Sequence, residues 1–198
     1  MKIIIATKNK GKLAEFARIL EPAGYQALSL TDIGFDRDIE ETGATFQENA
    51  FIKARTISAS AKEIVLADDS GLCVDYLHGA PGVYSARYAG QGATDEVNIA
   101  KLLGALSGVP EKDRTARFVC ALAWVFPDGK TLSCEGTCEG LIGTEKRGDG
   151  GFGYDPVFMV NGISFAEMDK AQKDAVSHRG KAVEIMLELL ENERRHPR

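Results

Sequence analysis

The tetrapeptide Ser177-His178-Arg179-Gly180 sets two cationic or protonatable side chains where an amphipathic helix is predicted to begin. A helix N-terminus carries positive partial charge, so His178 and Arg179 there call for an anion or another polar partner. Ser177 is a good N-cap, and Ala182, Ile185, Met186 and Leu189 follow at helical spacing, which places the start. The alternative is a solvated first turn, because His and Arg are common at surfaces.

Other residues offer matching chemistry. Thr7-Lys8-Asn9-Lys10-Gly11-Lys12 joins a predicted strand to a predicted helix, so backbone N–H groups and the Lys12 ammonium could face a phosphate; a solvated turn is the other reading. It is not a Walker A loop, which would want Gly and Ser or Thr where Ala6 and Leu13 stand. Lys53 falls on the apolar face of a second helix, so its ammonium either snorkels out or points at carboxylates or phosphates. Asp68-Asp69 follows the apolar run Ile64 to Ala67, at what reads as the carboxyl end of a strand, where α/β proteins place ligands. Neighbouring strand residues point to opposite faces, so one acid would serve the site and the other would support it. Mg²⁺ takes only one or two protein carboxylates when a triphosphate supplies the remaining oxygens, and Glu41, in the Glu40-Glu41 pair, is a further donor. Phe152-Gly153-Tyr154-Asp155 combines an aromatic face, close backbone approach and a carboxylate, which suits a planar base or simply a strand entry. Lys173 reads as exposed unless it too faces an anion.

The elements that must position these residues are legible from periodicity. A strand from Ile3 to Ala6 precedes a helix with Leu13, Phe16, Ala17 and Leu20 at i, i+3, i+4 and i+7, ended by Pro22 and Gly24. A weaker apolar stretch, Tyr25 to Leu30, follows. Thr45-Phe46-Gln47-Glu48 is a capping box opening a helix with the buried face Phe46, Ala50, Ala54, Ile57 and Ala61. Ile64 to Ala67 reads as a strand covered on both faces. A third helix carries Ile99, Leu102, Leu103 and Leu106. Arg117–Phe126 and Thr131–Cys138 flank Pro127-Asp128-Gly129-Lys130 as a hairpin, and a strand from Val157 to Val160 follows. Ser164-Phe165-Ala166-Glu167 offers another capping box before the closing helices. The sum is one α/β domain, residues 1–198, with a mixed sheet.

Composition excludes several classes. With 24 basic and 29 acidic residues the net charge is −5, which argues against stable nucleic-acid binding, so an anionic ligand must meet a local cluster of Lys and Arg. No apolar run approaches membrane-spanning length, and the expected location is the cytoplasm. Cys73, Cys120, Cys134 and Cys138 lack the paired spacing of a zinc site and read as reduced, mostly structural thiols.

Taken together, the Thr7-to-Lys12 turn, Glu41, Lys53, Ala67-Asp68-Asp69-Ser70-Gly71, Gly79 to Gly82 with Tyr84-Ser85-Ala86-Arg87-Tyr88, Phe152 to Asp155, Lys173 and Ser177 to Gly180 resemble the inosine/xanthosine triphosphatase family, the noncanonical purine nucleoside triphosphate pyrophosphatases. The resemblance covers essentially the whole chain in order. It implies an elongated mixed sheet flanked by helices, two lobes with the active-site cleft between them, and usually a homodimer. It also implies Mg²⁺-dependent hydrolysis of ITP, dITP and XTP to the monophosphate and pyrophosphate, which keeps deaminated purines out of DNA and RNA. Asp69 is then the proton acceptor for the attacking water and, with Glu41, a metal ligand; Asp68 supports it or binds metal. Thr7 to Lys12, Ser70 and the ammonium groups of Lys12, Lys53 and Lys173 are assigned to the triphosphate. Phe152 to Asp155, His178 and Arg179 are assigned to the base. A nucleotide-sensing module would use the same turns without turnover, and the acids tell against it. A phosphotransferase would need an acceptor pocket, for which there is no motif.

Overall fold

The computed structural model describes residues 1–196. In chain order it comprises β1 (Lys2–Ile5), α1 (Lys10–Leu20), β2 (Gln26–Leu28), α2 (Phe46–Ser58), β3 (Ile64–Val74), α3 (Asp95–Ala105), β4 (Thr115–Val125), β5 (Thr131–Ile142), β6 (Phe158–Val160), β7 (Ile163–Ser164), α4 (Lys170–Val176) and α5 (His178–Arg195). The strands form one sheet in the order β2-β1-β3-β4-β5-β6-β7. It is mixed, as expected: β1 lies parallel to both β2 and β3, whereas β6 pairs antiparallel with β5 and β7. The chain divides into two compact units. The first holds Met1–Asp69, Cys120–Gly136 and residues 178–196; the second holds Ser70–Val119 and Thr137–Ser177.

In the first unit, side-chain alternation explains the layers. Ile3, Ile5, Ile64, Leu66, Leu122 and Trp124 share a core with Phe16 and Leu20 of α1 and Val183, Met186 and Leu190 of α5. The intervening residues Ile4, Ala6, Val65, Ala67, Ala123 and Val125 pack with Ala50, Ala54 and Ile57 of α2. Both faces are therefore covered, which is why these strands read as continuous apolar runs. Helix α1 is capped by Asn9, whose side chain accepts from Lys12 N at 3.0 Å, and α2 by the predicted Thr45/Glu48 box. In the second unit Leu72, Val74, Ile99, Leu102, Phe118, Phe158 and Phe165 form a separate core.

Three expectations change. β3 does not stop at the acids but runs on to Val74, so Asp68 and Asp69 lie inside a strand. The sequence suggested an end because Asp and Gly are depleted in strands, yet the ion pairs described below hold the two acids there. The Ser164/Glu167 pair does make capping-box contacts, with Ser164 N donating to Glu167 Oε2 at 2.8 Å, but they close a turn. Ser164 is occupied in the β6–β7 ladder, and the box that starts α4 is Asp169 with Gln172. Finally, α5 buries Ala182, Val183, Met186 and Leu190, whereas Ile185 is exposed. Arg179, Val183, Met186 and Leu190 fall on one helical face, and the partners of Arg179 set that phase.

Candidate functional site

Alternation continues from the apolar part of β3 into the acids. Asp68 shares the parity of Leu66 and so faces α1 and α5, while Asp69 shares that of Ala67 and faces α2. On the first face Lys12 Nζ donates to Asp68 Oδ2 at 2.7 Å. Arg179 Nη2 stands 3.7 Å from the same oxygen, and its Nη1 donates to Glu15. Asp68 and Arg179 are each only 1% exposed. Burial works to raise the Asp68 carboxyl, but Lys12, Arg179 and Lys53 outweigh it and hold it well below the usual carboxylate range. Arg179 thus has its anion within the chain.

On the opposite face Asn49 Nδ2 donates to Asp69 Oδ2 at 3.0 Å, and its Oδ1 accepts from Gly43 N at 2.7 Å. The two contacts fix the amide orientation. Gly43 must lack a side chain, since a Cβ there would stand 2.7 Å from Asn49 Oδ1. Lys53 Nζ lies 3.2 Å from Glu41 Oε2 and 3.5 Å from Asp69 Oδ1, so it pairs rather than snorkels. Burial pulls the Lys53 ammonium down, and Asp68, Asp69 and Glu41 more than restore it, leaving it above the ordinary lysine value. Asp69 goes the other way from Asp68: burial raises it, Lys53 opposes this, and the neighbouring Glu41 charge raises it again. A carboxylate of raised basicity is suited to taking a proton.

The remaining predicted residues of the first unit are placed as follows. Thr7 Oγ1 accepts from Asn9 N at 3.2 Å, Lys10 is exposed, and Gly11 is half-buried in the first turn of α1. Lys8 Nζ donates to Asp38 Oδ1 at 2.6 Å and Asp36 O at 3.1 Å, tying that turn to the loop that carries Glu41. His178 is buried beside Arg179.

The second unit holds the other predicted group. Asp155 and Lys173 are both buried, and Lys173 Nζ donates to Asp155 Oδ2 at 2.6 Å. Lys173 is therefore not the exposed lysine the helical pattern suggested. The same carboxylate oxygen accepts from Phe152 N at 2.9 Å, and the ammonium lies 4.9 Å from the centre of the Phe152 ring. Gly151 has φ +73° and packs directly on this carboxylate, leaving no room for a Cβ. Gly153 N donates to Asp95 Oδ2 at 2.7 Å, and the Tyr154 hydroxyl to Ser85 O at 2.8 Å. Ser70 is half-buried in β3.

Sequence reasoning missed Asn49 and Glu15. Asn49 precedes Lys53 by one i, i+4 step, so their shared face was an available signal. Glu15 adjoins Phe16 in the apolar stripe of α1, and nothing local says that its carboxylate would be buried against Arg179, which lies far away in sequence.

The fold defines a class: a mixed α/β protein whose ionised side chains gather on β3 and on the helices covering its two faces. The chain belongs to the Ham1 family, which it matches over residues 3–189. It is 54% identical over 192 residues to the dITP/XTP pyrophosphatase of Bacillus licheniformis, covering 96% of this chain and 98% of that protein. To the dITP/XTP pyrophosphatase of Bacillus subtilis it is 50% identical over 190 residues, covering 95% and 96%. The structure of the Staphylococcus aureus Ham1 protein superposes with a TM-score of 0.85 at 42% identity, over 98% of this chain and 100% of that one.

Proposed function

We propose that the chain hydrolyses the triphosphates of deaminated purines, dITP, XTP and ITP, to the nucleoside monophosphate and pyrophosphate. The observation that carries this reading is the split acid pair of β3, with Asp69 raised by burial and Asp68 held ionised by three cations. Relatives of about half-identical sequence bear the corresponding activity in their names.

The oxygen donors of Asp69 and Glu41 fit a hard divalent cation. Both already lie within 3.5 Å of a single ammonium, that of Lys53, and two carboxylates are what Mg²⁺ takes when phosphates complete its shell. When bound there, Mg²⁺ supplies positive charge to the phosphate oxygens. The chain's own groups do the rest. Asp69 accepts the proton of the attacking water, and Asn49 holds the carboxylate in place for it. Lys53 neutralises charge that builds up on the phosphates, with Lys12 beside it at the start of α1. Asp68, held too acidic to take a proton near neutral pH, fixes Lys12 and Arg179. Phe152 offers its ring face to the base, and the Asp155–Lys173 pair keeps the loop that carries it in shape.

Selectivity has a physical basis in the same reading. A site that donates to a 6-oxo group meets adenine's 6-amino group donor to donor, a mismatch that discriminates on the order of 10⁴-fold. A homodimer in the cytoplasm completes the proposal, and sedimentation of the purified protein tests the first part.

Incubating the protein with ITP and Mg²⁺ and separating the phosphorus products decides the reaction type. Pyrophosphate with inosine monophosphate is expected, and in ¹⁸O-labelled water the label enters the monophosphate. Orthophosphate with inosine diphosphate, or label in pyrophosphate, overturns attack at the α-phosphorus.

A further inference from the structure

Gly136 lies outside every motif that the sequence singles out. It is buried in β5 and its φ is not in the left-handed region, so the backbone there does not require glycine. Glycine inside a strand weakens it, and such a residue marks a close approach of another chain segment. The approaching segment is the opening turn of α5. A Cβ on Gly136 would stand 2.8 Å from Ala182 Cα and closer still to Ala182 N and His178 O. These are backbone atoms of a helix and cannot swing aside as a side-chain tip can. The same strand grips the turn a second time, where Cys134 Sγ donates to Ala182 O at 3.2 Å.

That turn carries Arg179, whose guanidinium holds Glu15 and sits 3.7 Å from Asp68 Oδ2. The Asp68 contact is already at the outer limit of an ion pair, so a displacement of about an ångström removes it. Asp68 Oδ2 is also the acceptor that fixes Lys12.

We propose that Gly136 is a positioning residue for the hydrolytic site: by lacking a side chain it lets α5 seat its first turn on β5, which sets the reach of Arg179 to Asp68 and through it the placement of Lys12. The proposal rests on the reading of the chain as a deaminated-purine triphosphate pyrophosphatase. Gly136 touches neither substrate nor acid itself. Its effect passes through a helix backbone, and misplacement of about 1 Å far from the chemistry can cost about 10²-fold in rate.

The test is Gly136→Ala, assayed with ITP and ATP at a temperature where circular dichroism shows it fully folded. The expected result is a KM for ITP raised about tenfold or more; because Lys12 serves the triphosphate that ITP and ATP share, kcat/KM for both should fall by the same factor and their ratio should hold. A merely structural role removes active molecules, which lowers kcat and leaves KM at its wild-type value; that outcome, or a changed ratio of kcat/KM between ITP and ATP, overturns the proposal. Should Gly136→Ala fail to fold, Cys134→Val presses on the same turn from the neighbouring contact. It is expected to shift KM in the same direction to a smaller extent, and an unchanged KM there also overturns the proposal. Amide exchange of residues 178–183 in the folded variant gives a readout independent of activity, with faster exchange expected and wild-type protection counting against the proposal. Wild-type protein that releases no pyrophosphate would instead defeat the functional reading, and the exchange measurement would still decide whether Gly136 seats the turn.

Discussion

Asp68 and Asp69 are neighbours in sequence and belong to opposite sides of the sheet: Asp68 Oδ2 accepts from Lys12 at 2.7 Å on the α1/α5 face, and Asp69 Oδ2 accepts from Asn49 at 3.0 Å on the α2 face. Strand geometry alone separates them. Their environments then drive them apart in acidity, since three cations surround the first while burial and Glu41 act on the second. Two adjacent, chemically identical groups thereby acquire different acidities, the pattern that the proposed division of roles requires.

Substitution of Asp69 separates activity from stability. Its carboxyl titrates above the unfolded value, so its contribution to folding is present at low pH and is lost as pH rises through the folded value. Above that value the ionised group is a cost to the fold. Asp69→Asn is therefore expected to lose about 10²-fold or more in kcat while its Tm at pH 7 stays level or rises. Near-normal turnover at saturating Mg²⁺ removes Asp69 from the chemistry; a fall in Tm contradicts the sign of the shift.

Asp68→Asn is expected to behave in the opposite way. The Asp68 carboxyl lies below its ordinary value of 3.8, so its stabilising contribution is complete above that pH and disappears as pH falls through the folded value. Removing it leaves Lys12 without its anion and Arg179 with Glu15 alone, a loss of up to about 3–5 kcal/mol. Urea unfolding of wild type and variant at pH 7 and at pH 3 checks this. The gap between them should be full at the higher pH and begin to close at the lower, and a gap independent of pH would falsify the ionic account.

Much of this arrangement was legible from the sequence because it rests on local rules. Alternation through Ile64 to Asp69 sorted the two acids by face before any neighbour was known, and the Thr45/Glu48 box fixed where α2 begins and so which way Lys53 points. What was not legible depended on partners distant in sequence. Lys173 read as exposed because its own helix supplies no anion, and the structure brings Asp155 to it at 2.6 Å. The phase of α5 followed Arg179 rather than hydrophobicity, since Ile185 and Leu189 are as apolar as the Val183 and Leu190 that are buried instead. The length of β3 was hidden for the same reason, because its two acids are held by Lys12, Arg179, Asn49 and Lys53, all distant in sequence.

The proposed cation site can be followed without turnover. In metal-free protein, burial should place the Asp69 midpoint above 3.8, the value of an ordinary aspartate, as read from its carboxyl carbon by NMR. Lys53→Met removes the ammonium that opposes this and should lift the midpoint further. Titrating Mg²⁺ into the wild type should bring it down, because a bound cation favours the ionised form. A midpoint that Mg²⁺ leaves where it was takes Asp69 out of the cation site.

The Asp155–Lys173 pair offers a sharper test of what holds the Phe152 loop. Both side chains are buried, and the Asp155 oxygen that receives Lys173 Nζ also receives Phe152 N at 2.9 Å. Lys173→Met strips the carboxylate of its counter-charge and is expected to cost about 3–5 kcal/mol, because a buried charge is left uncompensated. Asp155→Asn alone leaves a buried ammonium facing an amide and should cost a similar amount. The double variant removes both charges and leaves neither uncompensated, so it should be more stable than the sum of the single changes predicts by about 1–3 kcal/mol. Chemical denaturation of the four proteins measures that coupling. Additive losses would mean that Asp155 and Lys173 act independently, and the loop would then owe its shape to Gly151, Gly153 and the Tyr154–Ser85 contact instead.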